Sequence, residues 1–308
     1  GVMPSFHFLS NAARAVRLRA GKPAALELLN LKKKDPEKEP VFSLLHESMY
    51  NQILSVSKDC STVAVSGLLT RVYIEQEDKL KELFTGKLEG IPRHFALNTT
   101  GDLLWMGSVV YETTSGTLRC KIDRTGIDSP VEGVLSVKWI GPSRIAEIAL
   151  VQTQREGEAQ TFLERAIIVW DADTGAKLAT IPAPDAEVLS PNPSGKYLAE
   201  GGSSMRVRIH NLEAGRVEKE FRTHDAPITD IQWHPKGQYI VTCSEDLTVK
   251  ISDFTRKMAL VEELRGFERP PRRAFISPDN QKLGVASYRG AGEKVDFYEI
   301  EAFRNRNQ

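Results

Sequence analysis

The sequence is poor in cysteine, in aromatics and in net charge, and it has no long apolar run. Three cysteines among 308 residues, Cys60, Cys120 and Cys243, lie far apart. They make neither an even disulfide set nor a metal-ligand spacing, so a reducing compartment, cytoplasmic or nuclear, is the expectation. No stretch approaches the roughly 18 apolar residues that a membrane helix needs, and no membrane partner is expected. The opening, GVMPSFHFLSNAARAVRLRAG, puts its arginines after a short apolar run and does not read as a signal peptide. The 41 Lys and Arg balance 41 Asp and Glu. That balance excludes bulk attraction to nucleic acid and leaves only a local patch open. No P-loop, G-x-S-x-G or G-x-G-x-x-G is present. His7, His46, His94, His210, His224 and His234 show no metal-ligand spacing. Neither a metal nor a cofactor is expected.

What the chain does have is a period. Residues 181–221 and 222–264 share one layout: an alternating run, a proline–glycine turn (NPSGK, HPKGQ), a second run (YLAE, YIVTCS), a polar turn and a third run (VRIHN, VKISD). Four short strands with turn residues between them read as a meander. Anchoring each unit after the apolar pair of its third strand gives Leu29, Glu75, Lys121, Trp170, His210, Ser252 and Tyr298, spaced 40 to 49 residues apart. Cys60, Gly195 and Gly237 each lie 15 residues before their anchors. One four-stranded sheet cannot bury both faces, whereas stacked sheets bury each other.

These units resemble WD40 repeats. IIVWDADTG at 167–175 sets Trp170 and Asp171 in the family's Trp-Asp position. THDAPITDIQWHPKGQYIVTCSEDLTVKISD carries the family's order of His, strand a, turn, strand b, acidic turn and strand c. The resemblance implies an all-β, seven-bladed propeller in a single domain, 1–308, with four antiparallel strands per blade. The blades fall at about 4–46, 47–86, 87–132, 133–183, 184–223, 224–266 and 267–308. Only GVMP precedes the first strand, SFHFL. The tail EAFRNRNQ is therefore expected to supply the last outer strand, unless the chain is part of a longer protein.

The resemblance also implies roles. His224, Thr242 or Ser244, and Asp246 match the family's buried hydrogen-bond network, here cut short because Ser252 takes the Trp position. A His near an Asp invites a catalytic reading, but no nucleophile or oxyanion turn accompanies it. Alternation buries Cys243, with Cys120 alike and Cys60 nearer a turn. Trp105, Trp139 and Trp233 read as packing between blades.

In this architecture the d–a and b–c connections share one rim, where the family usually binds peptides. Arg265, Arg269, Arg272 and Arg273 in RGFERPPRR, Arg289 in SYRGAGEK, Arg93 in GIPRHF and Arg222 all fall on such connections, and Lys22 could extend the patch. Glu268, Glu293 and Asp225 dilute it. Arg suits carboxylate and phosphate through its planar fork. The patch is thus either a solvated face or a site for an acidic or phosphorylated peptide or an RNA backbone. Phe162 and Leu163 sit in the polar stretch QTQREGEAQTFLER, either as an exposed anchor or as strand c beginning early. KKKDPEKEP at 32–40 reads as a solvated loop or a docking segment.

Three functions follow in order. The first is a non-enzymatic protein-interaction scaffold, monomeric outside a complex. The second is an RNA- or ribonucleoprotein-associated module, with Phe267, Phe275 and Tyr288 as stacking candidates. The third is an enzyme or small-ligand binder at the central channel, for which Ser136, Thr229 and Asp230 are the polar residues at the strand-a starts.

Overall fold

Runs of three to eleven residues, bounded by glycine, proline, asparagine and aspartate turns, pair into antiparallel meanders. The computed structural model describes residues 6–8, 14–19, 24–30, 38–44, 54–57, 61–66, 69–76, 79–88, 95–124, 131–154, 160–277, 279–289, 292–300 and 303. The side chains of 6–8, 14, 17–44, 132, 288, 289 and 292–294 are outside that description. Among the described residues, six sheets have four strands and the seventh has three. They span 6–44, 54–86, 95–121, 131–182, 186–222, 228–264 and 271–299 and are called blades 1 to 7, each with strands a to d in chain order. This is an all-β propeller architecture with four-stranded antiparallel blades. The expected outer strand from EAFRNRNQ falls outside the described residues except for Phe303, which is buried.

The chain divides into two compact units, Gly1–Lys121 with Ser277–Asp279, and Ile122–Ile276 with Asn280–Gln308. In the first unit, strand a of blade 2 (Leu54–Val56) lies against strand a of blade 3 (Phe95–Leu97). Ala64, Val72, Leu104 and Tyr111 fill the space between these sheets. In the second unit, strands a of blades 4 to 7 (Val131–Ile140, Ala186–Pro191, Ile228–Trp233, Pro271–Ile276) contact one another in sequence. Ile148, Ile167, Leu189 and Leu198 fill the seam between blades 4 and 5. Val207, Ile231, Trp233 and Ile240 fill that between 5 and 6, and Val241, Ile251, Leu283 and Phe303 that between 6 and 7.

Stacking explains why burial differs by strand. Strand b of blade 6 (Tyr239–Ser244) is buried at every residue, because sheets cover both of its faces. Strand d of blade 5 (Arg216–Arg222) has only half-buried and exposed residues. The a–b turns repeat as well: the N–H groups of Gly195 and Gly237 close onto Asn192 and His234 carbonyls at 2.9 and 2.7 Å. Both glycines have φ near +72°, a conformation side chains disfavour.

Two anchors are corrected. In the pairing register of Trp170 (opposite Ile145), His210 (opposite Leu198) and Ser252 (opposite Ile240), blade 3 places Tyr111 and blade 2 places Tyr73. Lys121 belongs to strand d, and Glu75 lies two residues past its register. Short strands in blade 3 and the long strands b and c of blade 4 nearly cancel, so equal spacing concealed the shift. Strand a of blade 4 also begins at Val131, ahead of the expected limit at 133.

Candidate functional site

Trp105, Trp139, Trp170 and Trp233 are all buried. Cys243 has no exposure, and burial pushes its thiol well above its ordinary range. Cys120 is buried too, and Cys60 lies outside the described residues.

His224 lies in the connection before strand a of blade 6. Its Nδ1 is 2.9 Å from Asp246 Oδ2, and its Nε2 is 2.7 Å from Thr242 Oγ1. Asp246 Oδ1 accepts from the Thr248 hydroxyl at 2.6 Å and from the Thr248 N–H at 3.0 Å, while Oδ2 accepts from the Asp225 N–H at 3.1 Å. Burial works against the Asp246 carboxylate, but these bonds and His224 outweigh it and hold its pKa at about 2. Burial pulls His224 below its usual value despite Asp246. The ring is thus neutral, donating from Nδ1 to Asp246 and accepting the Thr242 proton at Nε2. Ser244 does not join through the ring; its hydroxyl donates to Ala226 O at 3.0 Å. The chain ends at Thr242, whose one proton goes to His224 Nε2 at 2.7 Å rather than to the more distant Lys250 O at 3.5 Å, and Ser252 adds no bond to it. The order Asp, His, hydroxyl is that of a catalytic triad, but His224 and Thr242 are 1% and 2% exposed, so no substrate reaches the hydroxyl. The network ties the loop to strands b and c. Replacing His224 by Ala takes the 2.7 Å partner from the buried Thr242 hydroxyl and one of the bonds from Asp246, and urea unfolding at pH 7 should show a loss of about 1–3 kcal/mol.

The same place in the neighbouring blades is filled differently. The residue in the register of Thr242 is Glu147 in blade 4 and Glu200 in blade 5. Arg124, ahead of strand a as His224 is, holds Glu147 with Nε to Oε1 at 3.2 Å and Nη2 to Oε2 at 2.6 Å. Its guanidinium lies 5.9 Å from the Trp170 ring, and Trp170 Nε1 has no hydrogen-bond partner. Trp170 is therefore packed beside this pair and is not bonded into it. In blade 5, Arg208 bridges Glu200 at 3.2 Å, Glu220 at 3.2 Å and Asp185 at 3.5 Å, and His210 Nε2 lies 3.5 Å from Glu200. Asp171 serves the c–d turn, its Oδ1 accepting from Thr174 N and Oγ1 at 2.8 Å each. Those bonds lower its pKa. Motif matching overlooks Glu147 and Glu200. A lone carboxylate inside an apolar strand b, as in IAEIAL and YLAEGG, was the available signal.

The rim arginines disperse. Arg265 is 75% exposed and pairs with Glu263 at 2.9 Å. Arg269 is exposed in the 265–270 connection. Arg222 pairs with Asp225 at 3.4 Å. Arg272 and Arg273 are corrected: they belong to strand a of blade 7, not to a loop. Arg272 pairs with Glu245 at 3.2 Å, and Arg273 packs over Phe275 at 5.3 Å. Arg93 and Lys22 lie outside the described residues. Arg289 is placed in strand b of blade 7 by its backbone alone. Phe162 and Leu163 belong to strand c of blade 4, which starts at Thr161 and pairs them with Thr153 and Gln152. Leu163 is nonetheless 59% exposed. Phe267 and Phe275 are buried, which removes two of the three stacking candidates. Of KKKDPEKEP, only the backbone of 38–40 is described.

One repeated device was not foreseen. Strands a of blades 4 to 7 each carry a bulge at the same register, between the partners of the fifth and sixth residues of strand b. The bulged residues are Leu135, Glu187, Thr229 and Arg272. A bulge takes its residue out of the pleat and re-aims it. Leu135, Glu187 and Arg272 are exposed. Thr229 is half-buried and donates to Pro271 O at 2.5 Å.

The sheets define the class: a β-propeller protein built from meander blades. Residues 215–253 match the family described as WD domain, G-beta repeat. WD repeat-containing protein VIP3 of Arabidopsis thaliana is 29% identical over 141 residues, covering 41% of this chain and 44% of that protein. Nuclear distribution protein PAC1 of Tuber melanosporum is 28% identical over 136 residues, 40% of this chain and 30% of that protein. COMPASS component SWD1 of Saccharomyces cerevisiae is 31% identical over 88 residues, 27% and 20% of the two chains. The chain spans less than half the length of each of these relatives. Residues 215–253 are thus similar to a WD repeat, within a chain whose sheets are propeller blades. Among the described residues, no helix is long and apolar enough to cross a membrane, and no three His, Cys, Asp or Glu side chains group as a metal would need.

Proposed function

We propose that this chain is a non-enzymatic protein-interaction scaffold, cytoplasmic or nuclear, that binds an acidic or phosphorylated segment of a partner at the loop rim of blades 4 to 7. The observation that carries this is the shared bulge register. One backbone frame presents an apolar, an acidic, a hydroxyl and a basic side chain at equivalent points of adjacent blades. A frame held by sheet stacking orders these groups before binding, so little entropy is lost when a partner docks. Exposed Arg265 and Arg269 next to Arg272 supply the positive part of the surface. Relatives whose names describe them as a complex component and as a corepressor are in keeping with a scaffold.

The test is affinity capture from a lysate with wild type and an Arg265→Glu, Arg269→Glu, Arg272→Glu variant, both shown folded by circular dichroism. Proteins that survive nuclease treatment and are lost in the variant are the expected result. Capture that disappears with nuclease would favour an RNA-associated module instead, and capture unchanged by the variant would refute the basic rim as the docking surface.

A further inference from the structure

In blades 4, 5 and 6 the outer strand d (Lys177–Pro182, Arg216–Arg222 and Ala259–Leu264) begins in one way. Its second residue is a large apolar side chain, Leu178, Val217 or Leu260, each 46 to 55% exposed. Val261 follows in blade 6 and is exposed as well. Half of the exposed large apolar side chains described in the second unit therefore lie at this one level.

Each of these strands also carries a bulge there, opposite the steps Val169–Trp170, Ile209–His210 and Ile251–Ser252. Strand d is the last strand of each sheet, and a straight outer edge would template the pairing of another strand. A bulge breaks that edge. Docking on these side chains is therefore by side-chain contact and not by strand addition.

The charges at this end are sorted. The last residue of strand c, Asp171, Asn211 or Asp253, turns its side-chain oxygen onto N–H groups of the c–d connection at 2.8 to 3.3 Å. The two aspartates are thus held in their turns. Lys177, Arg216, Arg256 and Lys257 are exposed, and Arg216 and Arg256 reach Glu218 and Asp253 only at 3.8 Å. Glu213 pairs with Lys196 at 3.0 Å, and Glu218 accepts from the Asn211 amide at 3.3 Å. Asp173 adds a negative charge in blade 4. Lys219 donates to Phe254 O at 2.8 Å and lies 4.0 Å from the Phe254 ring centroid. A carbonyl does not neutralise an ammonium, so the balance in blades 5 and 6 stays positive. The same contact sets strand d of blade 5 against the c–d connection of blade 6. Between blades 4 and 5, Ala179 of strand d and Leu212 of the c–d connection pack on one core. The three blades thus present apolar and basic groups side by side.

We infer that this outer surface of blades 4 to 6 is a second docking site, for an acidic protein segment that also carries apolar side chains. Charge complementarity calls for the acidic groups. Exposed Leu178, Val217 and Leu260 call for apolar ones, which a nucleic-acid backbone does not bring. The surface lies at the c–d end of the sheets, the opposite end from the Arg265 and Arg269 connection, and does not rest on the reading of that rim.

Selection of a random-peptide library on the immobilised full chain tests the site, followed by affinities from fluorescence anisotropy. Enriched peptides should combine Asp or Glu with Leu, Ile, Val or Phe. Val217→Ser, Leu260→Ser and, separately, Arg216→Glu, Arg256→Glu, Lys257→Glu should each weaken their binding by about tenfold or more. Val217→Thr, Leu260→Thr takes the place of the serine variant if that chain does not fold. The Arg265→Glu, Arg269→Glu variant should bind these peptides as wild type does. No enrichment that depends on the two patch variants, enrichment of apolar peptides without acids, or undiminished binding after Asp and Glu are changed to Asn and Gln would overturn the proposal. A concentration-dependent dimer that dissolves in the serine variant would overturn it in favour of a second copy of the chain. Binding of a single-stranded oligonucleotide in place of peptides, lost in the glutamate variant and kept in the serine variant, would overturn it in favour of nucleic acid.

Discussion

Replacing Arg124 by Met should lower the unfolding free energy by about 3–5 kcal/mol, the range for breaking a buried ion pair from one side. Glu147 has no exposed side-chain surface, and Arg124 is 20% exposed. The variant leaves the carboxylate inside blade 4 with neither water nor a cation. The double replacement Arg124→Met, Glu147→Leu removes the stranded charge and should regain most of the loss, since well-packed apolar groups often match a buried pair. Urea midpoints of the four chains of this cycle measure the coupling directly. A single-variant loss below about 1 kcal/mol would place the pair with surface salt bridges and would refute its enclosure.

Stability should also fall by about 3 kcal/mol as pH drops from 6.5 to 4, with His234 as the titrating group. Burial, reinforced by Lys236, lowers this imidazole from 6.5 to about 4, and the Asn280 backbone offsets the effect only in part. Its Nδ1 accepts the Lys236 N–H at 3.2 Å, and the ring packs on Tyr239 and Phe303 with centroids 5.7 and 4.7 Å away. Between these two pH values the unfolded chain holds a proton that the folded chain refuses. The contribution is therefore complete above about 6.5 and lost as pH approaches 4. Asp246 adds a separate step lower down. Its carboxyl is depressed from 3.8 to about 2, so its contribution, about 2 kcal/mol, is present above 3.8 and lost as pH falls through 2. Denaturation midpoints across pH 3 to 8 should show the first step in wild type and a flatter profile in His234→Phe. An unchanged profile in that variant would assign the acid sensitivity to other groups.

Both effects arise from polar groups enclosed between stacked sheets, and they show how far the residues could be read unaided. Blade 6 was legible except for its strand-a bulge and the choice between Thr242 and Ser244. THDAPITDIQWHPKGQYIVTCSEDLTVKISD carries its turn glycine, its all-buried strand b and its His224–Asp246 pair in one stretch, because these contacts are local to one meander. Blades 4 and 5 were legible as strands but not as networks. Arg124 meets Glu147 across 23 residues, and nothing in a run of apolar letters says which partner a lone glutamate will find. Blade 3 was misread because equal spacing does not require equal strand lengths.

The amino-acid sequence by itself determined the all-β class, the period, the burial of the tryptophans and the position of the glycine turns. These follow from alternation and local backbone preference within a few residues. Tertiary structure alone decided which charges are enclosed and which are solvated. Arg272 and Arg273 are neighbours in one basic run, yet the bulge exposes the first beside Glu245 and leaves the second over Phe275. A side chain's surroundings there depend on the next sheet, which comes from a different part of the chain, and on a one-residue bulge that inverts which face it occupies.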